Sequence, residues 1–152
     1  MERVAPAAEG FGPVASAQGD KEAQNSMNQD TEDLDFEIDF YEAVLDHVPD
    51  CVDVLMALSN DYTRRGQFAK GMSIDQRLCA LRADDPIVRY NLACSHSLLG
   101  QYELSIEALR QAILLGYNDV GFLQKDPDLE GLRSDPRYAT LLEQLLGQQH
   151  AS

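Results

Sequence analysis

The sequence predicts an all-α protein in which helical hairpins stack side by side, with further helices closing the stack. Two observations carry this prediction. A block of residues recurs at an interval of 34 positions, and within each copy the apolar residues return at steps of three and four, as on one face of a helix. Because a single hairpin cannot cover its own apolar face, neighbouring hairpins have to pack together.

The net charge and the cysteine count narrow the class of protein and its surroundings. The chain has 152 residues and a net charge of −14, which repels nucleic acid and anionic membranes and favours basic or neutral partners. Its three cysteines are too few and too irregularly spaced for a disulfide framework, so we expect a reducing compartment and a cytoplasmic protein. No apolar stretch has the length of a secretory signal or of a membrane-spanning helix.

Residues 1–33 are predicted to be a disordered acidic tail. They are rich in Ala, Gly, Gln, Asn and Ser and contain few large apolar side chains, so burial cannot offset the loss of chain entropy. The acidic residues concentrate here and just beyond, because residues 1–39 carry a net charge of −8. One further idea is that the acidic segment 29–39 folds over a binding groove or mimics an acidic ligand.

The folded part is expected to begin with a helix over 36–48, which Pro49 ends. Its apolar residues fall at steps of three and four. They are Phe36, Phe40, Tyr41, Val44, Leu45 and Val48. The alternation of apolar residues over 34–40 also fits a strand, but the sequence offers no second strand to pair with it.

The internal repeat is clearest at the turn within each unit, where Gly66-Gln67-Phe68 recurs as Gly100-Gln101-Tyr102. Further pairs agree at the same offset. They are Leu58 and Leu92, Ser59 and Ala93, Tyr62 and His96, Gly71 and Ser105, Met72 and Ile106, Cys79 and Ile113, and Leu81 and Leu115. Each unit therefore predicts two amphipathic helices joined at a glycine.

The helices of the two units are predicted over 52–65, 68–82, 87–99 and 102–115. Gly66 and Gly100 stand where a chain leaving a helix needs a left-handed residue. Pro86 follows two aspartates and fits the first turn of a helix behind an acidic cap. Small residues are expected where the two helices of a hairpin cross. They are Ser59, Gly71, Ala93 and Ser105.

This pattern resembles the tetratricopeptide repeat. Both units follow the family's order of residues, which is Leu, a small residue, Tyr or His, Gly-x-aromatic and a second small residue. Here they are Leu58, Ser59, Tyr62, Gly66, Phe68 and Gly71, then Leu92, Ala93, His96, Gly100, Tyr102 and Ser105. The resemblance implies a right-handed α-solenoid with a degenerate repeat helix at 36–48 and repeats at 52–85 and 86–119. Asp75 departs from the pattern, because a bulky residue is usual at that position.

Residues 120–147 resemble the module that often closes bacterial repeat proteins of this kind. Asp126-Pro127 and Asp135-Pro136 each combine a helix N-cap with a proline at the first helical position. A short turn is expected at Leu129 and Leu132, followed by a last helix. The apolar stripe of that helix is Tyr138, Leu141, Leu142, Leu145 and Leu146.

No motif for catalysis, for a cofactor or for a metal ion is present, so we expect neither an enzyme nor a cofactor-dependent protein. Cys94 and His96 lie two residues apart, on different faces of a helix, and a packed core histidine is the better interpretation of His96. A zinc site would need Cys51, Cys79, Cys94 and His96 to converge from unrelated repeat positions. The acidic run over 33–39 lacks the glycine and the closing glutamate of a calcium loop.

In the tetratricopeptide family the first helix of each unit lines a concave groove, and the resemblance gives this role to nine residues. They are Asp53, Met56, Asn60, Thr63, Ile87, Tyr90, Asn91, Cys94 and Ser97. Met56 and Tyr90 offer adaptable and amphipathic contact surface, and the Asn91 amide suits an extended peptide backbone. The alternative is that these residues form only a solvated face. Some family members hold a C-terminal carboxylate with a clamp of Asn and basic residues. In this sequence only Asn91 matches a residue of that clamp.

The predicted function is a protein–protein interaction module, an adaptor or scaffold that binds a peptide or a partner helix in this groove. The alternative function is a chaperone-like cargo holder, similar to the acidic repeat chaperones of bacterial secretion systems. We expect a protein or peptide partner, and neither nucleic acid nor a membrane. Self-association through an uncapped end of the short array is a further expectation.

Overall fold

The computed structural model describes the backbone of residues 11–151 and the side chains of residues 19–149. This part of the chain is helical with no strand, which confirms the predicted all-α class. The helices are α1 (Phe11–His47), α2 (Val52–Arg64), α3 (Phe68–Leu81), α4 (Pro86–Leu98), α5 (Tyr102–Leu114), α6 (Val120–Lys125), a 3₁₀ helix (Pro127–Leu132) and α7 (Pro136–Ala151). None of these helices combines the length and the apolar character needed to span a membrane.

Helices α2 to α5 begin and end within one residue of their predicted bounds. From α1 to α5 each helix packs against the next along the chain. The 3₁₀ helix packs against α4 and α5, and α7 packs against α5 and α6. The side chains between these helices form two apolar clusters, one from α1 to α4 and one from α4 to α7.

Three glycines close helices with the same local geometry. Gly66, Gly100 and Gly116 have φ angles of 83°, 74° and 115°, as expected for Gly66 and Gly100. In each case the glycine N–H donates to the carbonyl three residues back and the next N–H donates to the carbonyl five residues back, at 2.8–3.1 Å. This double closure satisfies the last carbonyls of the helix and requires a left-handed residue, which glycine adopts without strain.

The helices of each hairpin cross at the predicted small residues, all of which are buried. The Ser105 hydroxyl donates to the carbonyl of Ala93 at 2.6 Å. At the equivalent crossing, a Cβ added to Gly71 would lie 3.3 Å from the Thr63 hydroxyl. Larger residues at these crossings would push the helices apart, so the close approach depends on them.

The predicted disordered tail is not confirmed, because α1 runs without interruption from Phe11 to His47 and crosses the predicted boundary at residue 33. Residues 1–10 lie outside the described part. The side chains of residues 19–30 are exposed, so this half of the helix is not held by burial. Its Ala, Gln, Glu, Lys and Met residues favour helix locally, whereas the prediction of disorder considered only how much surface the segment could bury.

Only some of the apolar residues that predicted the helix lie on the buried face of α1. Ile38 and Leu45 are buried, whereas Phe36 and Phe40 are 73% and 56% exposed. The face that meets α2 follows the steps 34, 38, 41 and 45, which is one of two apolar faces with helical spacing. The sequence alone did not distinguish them, because the choice depends on which side α2 approaches.

The closing segment follows the predicted pattern. Asp126 caps the 3₁₀ helix by accepting from the Asp128 N–H at 3.0 Å, and Asp135 accepts from the Arg137 N–H at 2.9 Å. Leu129 and Leu132 are fully buried. Five residues of the predicted stripe on α7 join the core or pack against it. They are Tyr138, Leu141, Leu142, Leu145 and Leu146.

A candidate binding cavity between α2, α4 and the 3₁₀ helix

A cavity of about 160 Å³ lies where the first helices of both repeat units face the closing segment. We call it the inter-repeat cavity. Its lining combines amides, hydroxyls, carboxyl groups and apolar side chains. The lining residues are Met56, Ser59, Asn60, Thr63, Asp75, Tyr90, Asn91, Cys94, Ser95, Phe122, Asp126 and Asp128.

Six of the nine predicted groove residues line this cavity. They are Met56, Asn60, Thr63, Tyr90, Asn91 and Cys94. The structure places the other three elsewhere. Asp53 and Ile87 are exposed near the beginnings of α2 and α4, and Ser97 is buried near the end of α4 with a hydroxyl that has no hydrogen-bond partner in the described chain. The cavity therefore occupies the middle of the predicted groove.

Asp75 ties three helices together at the back of the cavity. Its two carboxyl oxygens accept hydrogen bonds from the hydroxyls of Ser59 on α2 and Ser95 on α4, each at 2.5 Å. The side chain is 2% exposed. Burial raises the pKa of Asp75, against the lowering effect of the two serine hydroxyls and of His96. One carboxyl group on α3 thus fixes the two helices that form the cavity walls.

Asp126 organises the opposite side of the cavity. One carboxyl oxygen caps the 3₁₀ helix, and the other accepts from the Tyr90 hydroxyl at 2.6 Å and from the Cys94 thiol at 3.6 Å. The backbone carbonyl of Asp126 accepts from the Arg133 guanidinium at 2.8 Å. These bonds fasten the closing segment to α4 and hold a carboxyl group at the cavity wall.

The ring of Tyr90 is fixed from two sides. It stacks on Tyr117 with the ring centroids 4.3 Å apart and the planes 5° from parallel, and it meets Phe122 at a centroid distance of 6.0 Å. Burial, with Cys94 and Asp126 nearby, raises the pKa of Tyr90 far above its usual range. This shift favours the protonated hydroxyl, which is the form that donates to Asp126.

Cys94 is the cysteine with acidic neighbours at ligand distance. Its sulfur and the carboxyl oxygens of Asp126 and Asp128 lie within 4.8 Å of one another. Burial and the two aspartates raise the pKa of the Cys94 thiol, which disfavours the thiolate needed for nucleophilic chemistry or metal binding. Burial, followed by the charge of Asp126, raises the pKa of Asp128.

The structure does not bring together the other groups of residues that were considered as catalytic, zinc or groove-covering sites. His96 is buried and bonds through Nδ1 to Gln101 at 2.8 Å, as expected for a core histidine. The neighbours of Cys94 are aspartates rather than Cys51, Cys79 or His96. The acidic segment 29–39 does not cover the cavity, because it belongs to α1, which packs against α2, and no α1 residue whose side chain is described is part of the lining.

Half of the lining was not predicted from the sequence. Ser59, Asp75, Ser95, Phe122, Asp126 and Asp128 were not assigned to the groove. Asp75 could have been recognised in the sequence, because it stands where the family normally has a bulky residue. A carboxyl group at such a position needs buried hydrogen-bond partners. Asp126 was interpreted as a helix cap, which explains one of its oxygens. The contact of the other oxygen with Tyr90, 36 residues away, depends on the tertiary fold.

Comparison with known proteins gives a partial relative. No family model matches the chain. The chain is similar to a chloroplastic protein of Arabidopsis thaliana, with 40% identity over 58 residues. The matched stretch covers 38% of this chain and 17% of that protein, so the chain corresponds to a small part of its relative.

Proposed function

We propose that this chain is a tetratricopeptide-type repeat module, a short solenoid of two units closed by the segment after residue 119, that binds a peptide or partner helix. The observation that carries the proposal is the inter-repeat cavity, because six residues that the family resemblance assigns to the groove line one concave site. The 34-residue recurrence of the left-handed glycines supports the repeat relation itself.

The lining suits peptide recognition rather than a chemical step. Asn60 and Asn91 present amides that both donate and accept, which matches the alternating groups of an extended backbone. Met56 and Tyr90 add an adaptable and a rigid apolar surface beside them. The nearest candidate nucleophile is the Cys94 thiol, whose raised pKa keeps it protonated.

Random peptide display on the immobilised protein tests the function directly. We expect enriched peptides that share a motif and whose affinity falls about tenfold or more in Asn91→Ala, since a lost backbone hydrogen bond at a desolvated site costs about 1–3 kcal/mol. Gln76→Ala is the matched control, because Gln76 is exposed on α3 outside the cavity. Fluorescence anisotropy with one enriched peptide supplies the affinities.

The pattern of enrichment separates the two predicted functions. A single motif that depends on Asn91 supports an adaptor, whereas many unrelated sequences without a motif support the cargo holder. If no peptide is enriched, or if binding is equal in Asn91→Ala and wild type, the cavity is not the binding site and the proposal is wrong.

A further inference from the structure

The inter-repeat cavity has acidic groups in its lining and no basic group beside them. Asp75, Asp126 and Asp128 contribute three carboxyl groups, and the lining includes no Lys, Arg or His. We propose that this cavity holds the Lys or Arg side chain of the bound peptide, with Asp126 and Asp128 as its direct partners. The inference rests on the function proposed above and specifies the chemistry of the partner.

Asp126 and Asp128 are placed to share one cation. Their carboxyl oxygens lie within 4.8 Å of each other and of the Cys94 sulfur, so, in addition to burial, the charge of Asp126 repels an ionised Asp128 and raises its pKa. A cation between them removes this repulsion and gains two charge-assisted contacts. Asp75 lies behind them at the back of the cavity and is 2% exposed, so it adds an acidic group to the wall rather than a direct contact.

The closing segment supplies a cation nearby without neutralising this site. The Arg133 guanidinium donates to the backbone carbonyl of Asp126 rather than to its carboxyl group. Arg133 is also absent from the lining. Among the described residues, the carboxyl groups of Asp126 and Asp128 therefore have no salt bridge that a ligand would have to displace.

A buried hydroxyl beside the same groups is also left without a hydrogen bond. The Tyr117 hydroxyl is buried and has no partner in the described chain. Its ring stacks on Tyr90, and burial raises its pKa to about 12 against the lowering effect of the nearby Tyr90 hydroxyl. Tyr117 lines a separate pocket and not the inter-repeat cavity, so a ligand in the cavity would meet Tyr90 and not this hydroxyl.

The dimensions and walls of the cavity favour a side chain over a bare metal ion. About 160 Å³ exceeds the space that one ion or one water needs. Met56 and the rings of Tyr90 and Phe122 offer apolar surface for the methylene stem of Lys or Arg, and the rings add cation–π attraction. Phe122 is 54% exposed, so it is accessible to an incoming ligand.

A metal ion would find a poorer set of ligands. Cys94, Asp126 and Asp128 supply three ligand groups, whereas structural zinc takes four and calcium six or more. The thiol would also have to lose a proton that burial holds in place. The charge of the cavity therefore matches an organic cation better than a transition metal.

Peptide selection on Asp128→Asn tests the proposal, with Asp46→Asn as the control. Asp128 offers a carboxyl group to the cavity while its backbone N–H, not its side chain, bonds to Asp126. Asp46 is exposed on α1, and its substitution removes the same charge. We expect wild type and Asp46→Asn to select peptides with Lys or Arg at one fixed position, and Asp128→Asn to lose that preference.

Replacing the selected lysine by norleucine gives a second measurement that requires no protein variant. The norleucine side chain keeps the apolar stem and lacks the charge, so we expect the affinity to fall about tenfold or more. Equal affinity would contradict the inference even if Asp128→Asn were to unfold. Circular dichroism of the variants shows whether they keep their helices.

The outcomes separate this inference from the proposed function. If the enriched peptides lack a basic residue, or if Asp128→Asn keeps the preference for one, the proposed Lys or Arg contact is wrong. Peptide binding itself would still stand. A basic preference that disappears when EDTA is added overturns it in favour of a metal-dependent site. Failure to enrich any peptide overturns both proposals.

Discussion

At the scale of single residues, two aspartates decide the geometry of the cavity. Asp75 connects α2, α3 and α4 through two serine hydroxyls, and Asp126 connects α4 to the closing segment through Tyr90. Each aspartate replaces apolar packing by a few directed bonds, which specify one arrangement of the helices more narrowly than apolar contacts do. Both are buried, so a change at either one leaves unsatisfied partners behind.

Asp75→Asn is expected to change how stability depends on pH. Because burial raises the pKa of Asp75, the folded state binds its proton more tightly than the unfolded state. The contribution of Asp75 to stability therefore falls as the pH rises through the window that begins near its usual pKa, about 4. Asparagine lacks this proton, so Asp75→Asn should gain stability relative to wild type between about pH 4 and about pH 7.

Urea denaturation of both proteins at the two pH values measures this change. Gln76→Ala alters no titratable group, so its free energy of unfolding should differ from that of wild type by the same amount at both pH values. A difference between Asp75→Asn and wild type that is independent of pH would show that the Asp75 pKa is not raised.

Tyr90→Phe removes the donor to Asp126 and keeps the stacked ring. We expect a loss of about 1–3 kcal/mol, since hydrogen bonds to a charged acceptor fall in this range. Tyr138→Phe is the matched control, because the Tyr138 hydroxyl donates to the Leu123 carbonyl at 3.4 Å, a longer bond to a neutral group. Thermal unfolding should rank Tyr138→Phe as the milder change, and the reverse order would contradict the role given to Asp126.

At the scale of helices and turns, the sequence predicted what is determined locally. The bounds of α2 to α5 and the left-handed Gly66 and Gly100 follow from apolar spacing and from glycine, which act over one or two helical turns. The apolar spacing in α1 predicted a helix but did not show that Phe36 and Phe40 lie on its exposed face. The choice of buried face depends on the side from which α2 packs. This cannot be predicted from the sequence of α1 alone.

Gly66→Ala is expected to destabilise the protein by about 1–2 kcal/mol, which is the cost of a left-handed conformation in a residue with a Cβ. No atom lies within 4 Å of the added Cβ, so conformation alone accounts for this loss. Gly147→Ala is the control, because Gly147 lies within a helix and its added Cβ also has no atom within 4 Å. This change should stabilise the protein by about 0.5–1 kcal/mol. Equal effects of the two changes in chemical denaturation would argue against the glycine closure.

The two halves of α1 are expected to differ in protection from hydrogen exchange. Residues 19–30 have exposed side chains and rely on local propensity, which gives marginal helices in water. Residues 34–47 pack against α2 through Ile38 and Leu45. Amide exchange monitored by mass spectrometry should therefore be fast in the first half and slow in the second. Equal protection would require a contact of the first half that the described residues do not make.

At the scale of the whole molecule, the cavity is assembled from parts far apart in the sequence. The resemblance to the tetratricopeptide repeat implied six of the lining residues, all on α2 and α4, because in that family the first helix of each unit lines the groove. The acidic side of the cavity could not be predicted in this way, since Asp126 and Asp128 come from the closing segment outside the repeat. The closing segment therefore covers the last hairpin and also completes the candidate binding site.

The most direct test of peptide binding in the cavity is an NMR titration of the ¹⁵N-labelled protein with one peptide enriched by display. If the cavity is the binding site, the largest amide shifts should fall on Asn60, Tyr90, Asn91 and Asp128, with small shifts along α1. Shifts confined to the exposed Phe36 and Phe40 face of α1, with none at the cavity, would contradict it.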